Sequence, residues 1–257
     1  MKNKQVNKKV GPIKKLTVIL KKHSGRDSSG QISVRHQGGR QKRYYRLVDF
    51  KRDKRGVEGE VVRIETDPNR NADIALIKYK DGELRYIIHP EGLNVGDKVI
   101  AGDTVEIKTG NAMPLKNIPL GVVIHNIELY AGRGGQIARG AGTAVTVVAK
   151  EGNFVHLKLA SGEIRKFYSD CYAAIGRVGN IKHKDEIIGS AGRKRLMGIR
   201  PTVRGVAQDP RSHPHGGGEG KSGEGMHSKT PWGKPARGKK TRKKQKWSDK
   251  FILQRKG

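Results

Sequence analysis

The sequence predicts a mainly β protein in which two small antiparallel barrels are flanked by two long, basic and irregular extensions. Three observations lead to this class. Short segments of alternating apolar and polar residues fill the middle of the chain, glycine-containing turn signals separate them, and positive charge is concentrated at both ends. The chain has 257 residues, which is enough for one or two small domains with apolar cores.

The charge divides the chain into three parts. Residues 1–56 hold 18 basic and 3 acidic residues, and residues 190–257 hold 19 basic and 4 acidic residues, so each end carries +15. Residues 57–189 hold 17 basic and 17 acidic residues and are neutral. The total of +30 repels itself unless a polyanion neutralises it, which points to a nucleic acid or an anionic membrane surface as partner.

Composition disfavours several other classes of protein. The single cysteine, Cys171, cannot form an intramolecular disulfide or a cysteine-based zinc site, and this fits a reducing compartment. Apolar runs such as Leu16–Leu20 are far too short to span a bilayer. The basic first residues lack the apolar segment of a secretory signal, and they are richer in lysine than an organellar transit peptide.

The first barrel is predicted over residues 57–120. Its strands are expected in the segments VEGEVVRIE, IALIKY, ELRYIIH, DKVI and TVEI. Asp81 and Gly82 give a strong tight-turn signal between the second and third of these strands. Pro119 and Gly121 then interrupt the pattern, so the boundary between the barrels is placed there.

The second barrel is predicted over residues 121–189. Its strands are expected in VVIHNIEL, TAVTVVA, FVHLKL and EIRKFY, with hairpin turns at 151–153 and 161–162. The segment GRGGQIARGAG, residues 132–142, sets two arginines among glycines within this barrel. It is either a nucleic-acid contact or a glycine-rich hairpin loop.

The two extensions differ in pattern. The first, residues 1–56, mixes cations with Tyr44, Tyr45 and Phe50; cations pair with phosphates and aromatic faces stack on bases. We expect a strand after Lys42 that packs Tyr45, Leu47 and Phe50 on the barrel, and a preceding loop that contacts nucleic acid. The second, residues 190–257, has almost no apolar periodicity, so alone it should stay disordered until a polyanion orders it.

The stretch SHPHGGGEGKSGEG, residues 212–225, allows several interpretations. His213 and His215, with Asp209 and Glu219 nearby, are residue types that bind zinc, yet a Gly-rich and Pro-containing loop does not fix ligand rotamers. A nucleotide-binding loop fails because its first glycine falls on a histidine. Proton transfer by a histidine lacks a nearby nucleophile and a rigid frame.

Close packing against RNA is the interpretation that fits this stretch best. Glycines let backbone N–H groups approach phosphates, and histidines can stack on bases or hydrogen-bond to them. We therefore predict no protein-bound metal and no cofactor, with Mg²⁺ present only as counterions of the RNA.

Long motifs along the chain resemble one family, the bacterial-type large-subunit ribosomal protein two. They are YRLVDFKRDK, DPNRNADIALIKYKDGELRYIIHPEGL, GNAMPLKNIPLG, AGRGGQIARGAGT, RPTVRGVAQDPRSHPHGGGEG, TPWGKPARGKKTRKK and DKFI, in the family's order. The likeness extends from about Leu16 to the end of the sequence. Two segments depart from the family pattern: HQGGRQKR, residues 36–43, lacks a glycine and a histidine, and RKRLMGIRP, residues 193–201, lacks a tryptophan.

The resemblance implies an OB-like barrel followed by an SH3-like barrel, with extensions buried in 23S-type ribosomal RNA. It implies roles in subunit association, tRNA binding and the architecture of the peptidyl transferase centre, toward which the C-terminal extension reaches. Its implied partners are large-subunit rRNA, neighbouring ribosomal proteins and the small subunit, with no membrane, in the cytoplasm of a bacterium or in an organelle. The protein would not be an enzyme, although the family histidine linked to peptidyl transfer falls on His213, beside His215.

The candidate RNA-binding residues combine the cations of the extensions with those of the glycine-rich loop. They are Arg35, His36, Arg40, Lys42, Arg43, Lys51, Arg52, Arg70, Arg133, Arg139, Arg200, Arg204, Lys221, Trp232, Lys239, Lys240, Arg242, Lys243 and Lys244.

Two rival functions remain open from the residues alone. Charge by itself would allow a general nucleic-acid chaperone or a chromatin-like protein. The histidine stretch would allow an enzyme that depends on a metal or a nucleotide.

Overall fold

The computed structural model describes residues 11–243 and 245–255. These form two compact units. The first unit holds residues 11–20, 42–187 and 247–255, and the second holds residues 21–41, 188–243 and 245–246.

All strands of the described residues belong to the first unit. They are β1 (Thr17–Ile19), β2 (Tyr44–Arg46), β3 (Gly59–Glu65), β4 (Ile74–Tyr79), β5 (Leu84–Ile88), β6 (Lys98–Val99), β7 (Ala112–Pro114), β8 (Val123–His125), β9 (Ile127–Glu128), β10 (Gly135–Ile137), β11 (Val145–Glu151), β12 (Phe154–Lys158), β13 (Ile164–Tyr168), β14 (Tyr172–Ile175) and β15 (Ile252–Gln254). Short 3₁₀ turns lie at Lys14–Leu16, Leu115–Asn117, Ile181–Asp185 and Trp247–Phe251.

A four-stranded antiparallel sheet forms the first half of this unit, in the order β5-β4-β3-β6. Alternation along β3 and β4 buries Val61 and Ile77, which pack with Tyr79, Ile87 and Val99 in one apolar cluster. The turn between β4 and β5 is tight because Gly82, at φ +84°, accepts a left-handed conformation.

A seven-stranded sheet forms the second half, in the order β15-β13-β12-β11-β8-β14-β7. Ile124, Val147, Leu157 and Phe167 are among the buried side chains of its core. A smaller cluster of Ala72, Ile88 and Val178, with Val48 and Phe50 packed against it, joins the two halves. The mainly β class is confirmed, and the two sheets are consistent with OB-like and SH3-like barrels.

Several strand assignments need correction. TVEI, residues 104–107, is not a strand; Ile107 is exposed, and the chain instead forms β7 a few residues later, which pairs with β14. Leu47 points to solvent, and Val48 takes the packing position expected for it beside Phe50. The C-terminal extension, which the sequence predicts to be irregular, also contains a strand, β15, and this strand pairs with β13.

The second unit contains one short helix and few other regular elements among its described residues. Helix α1 (Ala191–Met197) begins after Ser190, whose hydroxyl accepts a hydrogen bond from the backbone N–H of Arg193, and ends at Gly198, at φ +95°. A 3₁₀ turn spans Gly205–Ala207. No helix in the described part of the chain is long and apolar enough to cross a membrane.

Residues 36–41 run beside the end of helix α1. The backbone N–H groups of Gly38 and Gln41 donate to the carbonyls of Gly198 and Leu196, at 2.8 and 2.9 Å. The first and second extensions therefore meet within one unit, although the sequence pattern presents them as two separate arms.

A buried histidine makes the first unit sensitive to acid. His125 is fully enclosed, and its Nδ1–H donates to the carbonyl of Gly176 at 2.9 Å. Burial, together with the charge of Arg52 and the neighbouring His89, lowers the pKa of His125 from its usual 6.5 to about 4. The unfolded chain therefore binds a proton between these two pH values while the folded chain does not, so stability falls as the pH drops through this window.

Replacing His125 with asparagine should remove this acid sensitivity. When the pH falls from 7 to 5, the unfolding free energy of the wild type should decrease by about 2 kcal/mol because of this histidine, since one pKa unit corresponds to about 1.4 kcal/mol. His125→Asn keeps a donor for the Gly176 carbonyl but cannot titrate. Urea unfolding of both proteins at the two pH values measures the difference; an equal loss in wild type and variant would contradict the assignment.

Candidate nucleic-acid interface

A buried carboxylate shapes the glycine-rich loop between β9 and β10. Glu128 accepts hydrogen bonds from the backbone N–H groups of Gly132, Gly134 and Tyr172, at 3.1, 2.7 and 3.0 Å. Gly134 adopts φ +85° and lies against Lys51, so a side chain there would be strained and crowded. The loop is thus held by a fixed anion rather than by apolar packing.

Two exposed arginines lie over aromatic rings here, Arg133 in this loop and Arg139 just after β10. The guanidinium of Arg133 lies 5.0 Å from the ring centre of Tyr130, and that of Arg139 lies 4.5 Å from the ring centre of Phe50. Such cation–π contacts orient a guanidinium at little cost in desolvation, leaving its N–H groups available to a phosphate.

The predicted cations before β3 and between β3 and β4 have different surroundings. Lys42 is exposed, 5.6 Å above the ring of Tyr44, and Lys51 is exposed beside the glycine-rich loop. Arg70 is half-buried, and its Nε donates to Asp67 at 2.7 Å, so much of its charge is already compensated.

Arg52 is predicted to bind RNA, but the structure places it in the interior. It is 4% exposed, and its Nη1 donates to the carbonyl of Gly110 at 3.1 Å. Its charge is buried, where it contributes to the environment of His125.

In the second unit, Arg35 stacks on a strongly exposed tryptophan. Its guanidinium lies 5.2 Å from the ring centre of Trp232, which is 75% exposed. His36, at φ +63°, places its Nδ1 at 3.0 Å from the carbonyl of Pro201. A flat arginine on an exposed indole offers both a phosphate ligand and a surface on which a base can stack.

The remaining predicted cations are distributed along the second unit or at its border. Arg40 and Arg43 are half-buried, whereas the others are exposed. The exposed ones are Arg200, Arg204, Lys221, Lys239, Lys240, Arg242 and Lys243. Lys244 lies outside the described residues.

His213 and His215 are the two buried side chains in the described part of the second unit. Their rings lie 5.1 Å apart. The N–H of His215 donates to Nδ1 of His213 at 3.1 Å, and the N–H of Lys229 donates to Nε2 of His215 at 2.7 Å. Because Nε2 of His215 accepts, its Nδ1 must carry the proton that bonds to the carbonyl of Glu224, at 3.1 Å.

Glycines allow the backbone to close around this pair. A β-carbon on Gly205 would collide with the ring of His213, and one on Gly216 would collide with the backbone of Asp209. The stretch that the sequence predicts to be flexible is therefore a hydrogen-bonded loop with buried rings. Among the residues that the structure describes, no three His, Cys, Asp or Glu side chains come together as a metal site would require.

The sequence pattern does not identify two features that organise this interface. Glu128 is a lone acid in the predicted strand VVIHNIEL, where alternation assigns it no role. The sequence feature that could have indicated its role is its position four residues before Gly132, because a carboxylate there can accept hydrogen bonds from backbone amides of the loop. The pairing of Arg35 with Trp232 joins residues far apart in the chain, and no local pattern reports it.

The fold and these contacts define a nucleic-acid-binding protein: a β body bears cations held over aromatic rings, and a basic second unit carries little apolar core. Residues 13–101 match the family described as Ribosomal Proteins L2, RNA binding N-terminal domain, and residues 108–233 match Ribosomal Proteins L2, C-terminal domain. The chain belongs to this ribosomal protein family. It is a structural constituent of the large ribosomal subunit that binds rRNA, as the sequence motifs predict.

Replacing Glu128 with glutamine should loosen the glycine-rich loop. The amide oxygen can still accept, but the NH₂ group would face backbone donors, so we expect a loss of about 1–3 kcal/mol of unfolding free energy. Urea unfolding measures this loss. The matched control, Glu106→Gln, alters an exposed acid paired with Lys108 and should change stability by less than about 0.5 kcal/mol. Equal effects of the two substitutions would contradict the role of Glu128.

Proposed function

We propose that the two basic extensions bind 23S-type rRNA and that the neutral β body supports them. The observation that carries this proposal is the charge distribution. Residues 1–56 and residues 190–257 each carry a net charge of +15, and the residues between them have a net charge of zero. Such a distribution supports phosphate binding by the extensions, whose exposed cations can enter grooves of a folded RNA.

Within the large subunit, this protein would support subunit association, tRNA binding and the architecture of the peptidyl transferase centre. Residues 190–257 would extend toward that centre, while neighbouring ribosomal proteins and the small subunit across an intersubunit bridge complete the partners. We place it on a bacterial cytoplasmic ribosome, with an organellar ribosome as the alternative. It would act without a cofactor, with Mg²⁺ only as counterions of the RNA, and without a membrane partner.

The domain limits that accompany this proposal are 57–120 for the OB-like barrel and 121–189 for the SH3-like barrel. The pairing of β3 to β6 among themselves supports a separate first barrel, whereas β7, which lies within 57–120, pairs with β14 and belongs to the second sheet.

Binding to an rRNA fragment should weaken steeply with salt. Ten simultaneous phosphate contacts imply a slope of log affinity against log salt of roughly −7 to −9. Replacing four cations by glutamine should reduce the magnitude of that slope by about 3 to 4, as measured by filter binding over a series of salt concentrations. The four cations are Lys239, Lys240, Arg242 and Lys243.

A charge-matched control separates phosphate contacts from net charge. Four lysines of the β body lie beside carboxylates and should contribute little when changed to glutamine: Lys80, Lys98, Lys108 and Lys116. An equal change of slope in both quadruple variants would refute the placement of the contacts. Equal affinity for unrelated duplexes would instead favour a general nucleic-acid chaperone.

We further propose that His213 supports the geometry of its loop and is not the proton-transferring group of peptidyl transfer. Nδ1 of His213 already accepts a bond from the N–H of His215, and its ring fills the space above Gly205. Peptide-bond chemistry would then belong to the rRNA, and the histidine would act by keeping the loop folded.

Large subunits reconstituted with loop variants test this role. His213→Ala should slow peptidyl transfer or subunit assembly, whereas His213→Asn, which keeps an acceptor near Nδ1 but cannot titrate, should retain most activity. Gly205→Ala should reproduce the defect by displacing the ring, and Gly223→Ala, which meets no atom within 4 Å, should not. Normal assembly with unchanged peptidyl transfer in His213→Ala would sink the proposal. Failure of His213→Asn to the same extent as His213→Ala would favour a titrating role.

A further inference from the structure

An aromatic cavity lies in the first unit beside the loop between β9 and β10, because Tyr130, whose ring lies under Arg133, also lines the cavity. Tyr130, Phe167, Tyr168, Trp247 and Phe251 contribute rings to its wall, and its volume is about 120 Å³. This volume is close to that of the ~150 Å³ apolar cavity known to accept a benzene molecule. The space therefore suits a planar ring better than a single ion or water.

Phe251 meets two rings of this cavity edge to face, whereas Tyr130 and Tyr168 are tilted by 33° at 6.4 Å. Trp247 and Phe251 lie 6.2 Å apart at 86°, and Tyr168 and Phe251 lie 5.8 Å apart at 69°. Phe251 is buried, but Trp247 is 62% exposed and Tyr168 is 39% exposed. Two large aromatic side chains, one on a 3₁₀ turn and one on β13, thus remain open to solvent, which is costly unless something covers them.

The cavity is also positively charged. Arg165 and Lys166 line it, and the described lining contains no carboxylate. Lys250 lies beside it, 5.3 Å from the ring centre of Phe251. Glu151 approaches Lys166 at 4.0 Å, so only part of this charge is compensated nearby.

We propose that this cavity binds an unpaired nucleobase of rRNA, stacked on Trp247 and Tyr168, with the adjoining phosphate near Arg165 and Lys250. Aromatic side chains flanked by cations bind single-stranded nucleotides, because every base has a π face that can stack and every nucleotide has a phosphate that can pair with a cation. An apolar protein side chain would use the rings but would gain nothing from the cations. The inference rests on the rRNA-binding function and identifies a bulged or looped base as its ligand.

The position of Trp247 strengthens the assignment to a base. It belongs to a 3₁₀ turn (Trp247–Phe251) that leads directly into β15, whose pairing with β13 fixes the turn beside Tyr168. The ring is therefore exposed on an anchored element, which keeps the entropic cost of stacking low.

Fluorescence of Trp247 in the full chain tests the proposal directly. Trp232→Phe leaves Trp247 as the single tryptophan, and the probe is an unstructured oligoadenylate of about six nucleotides, within the usual site size for single strands. The comparison probe is an abasic oligonucleotide of the same length and charge. We expect saturable quenching by oligoadenylate and an affinity roughly five- to 100-fold weaker for the abasic strand.

Variants separate this site from the rest of the rRNA interface. Trp247→Ala and Tyr168→Ala should each weaken oligoadenylate binding, measured by anisotropy of a labelled strand, whereas Trp247→Phe should retain most of it. Leu120→Ala, which changes an exposed apolar residue outside the cavity, is the control. Thermal unfolding by circular dichroism checks that each variant is folded.

The outcomes distinguish this inference from the function on which it rests. Equal affinity for both probes, or unchanged binding by folded Trp247→Ala and Tyr168→Ala, overturns the nucleobase site while salt-dependent binding of an rRNA fragment still stands. A further outcome is that both probes bind equally well, yet Trp247 is shielded from a neutral quencher in assembled large subunits. In that case a protein side chain covers the cavity instead of a base. Loss of rRNA-fragment binding by wild-type protein overturns both.

Discussion

The scarcity of apolar core in the second unit is the constraint on which the rest of the structure depends. In its described residues the buried side chains are those of two histidines, and backbone hydrogen bonds supply most other contacts. A segment with so little apolar burial gains little from folding alone and carries an unusually dense positive charge. The histidine pair and its hydrogen bonds fix the local shape of one loop in this unit.

The first unit, in contrast, has large apolar cores. Its sheets bury Ile, Val, Leu and Phe side chains in contiguous clusters, so its stability does not require a partner. This independence allows it to place groups that would be unfavourable elsewhere, such as the buried Glu128 carboxylate and the neutral His125. The glycine-rich loop and the aromatic cavity both rely on such a rigid frame to hold cations and rings in position for RNA.

The sequence predicts the β class and most strands, because period-two alternation and turn glycines report directly on local structure. The family follows instead from the long motifs that resemble it. Ile74–Tyr79 is a strand over the whole predicted segment. Contacts between distant residues are beyond such patterns. Arg52 is buried and bonds to Gly110, far along the chain, and the strand that pairs with β14 is β7 and not TVEI. The aromatic cavity likewise joins β13 with a turn that no alternation pattern predicts.

The pairing of β15 with β13 has a topological consequence for the basic segment 188–246. This segment leaves the sheet after β14 and returns to it at β15, so it is a closed excursion anchored at both ends rather than a free tail. Anchoring removes conformations from the unbound state in advance, and the entropy of closing such a loop grows only with the logarithm of its length. Less disorder then remains to be lost when the RNA folds around it, and the length of the excursion limits how deep into the subunit it can reach.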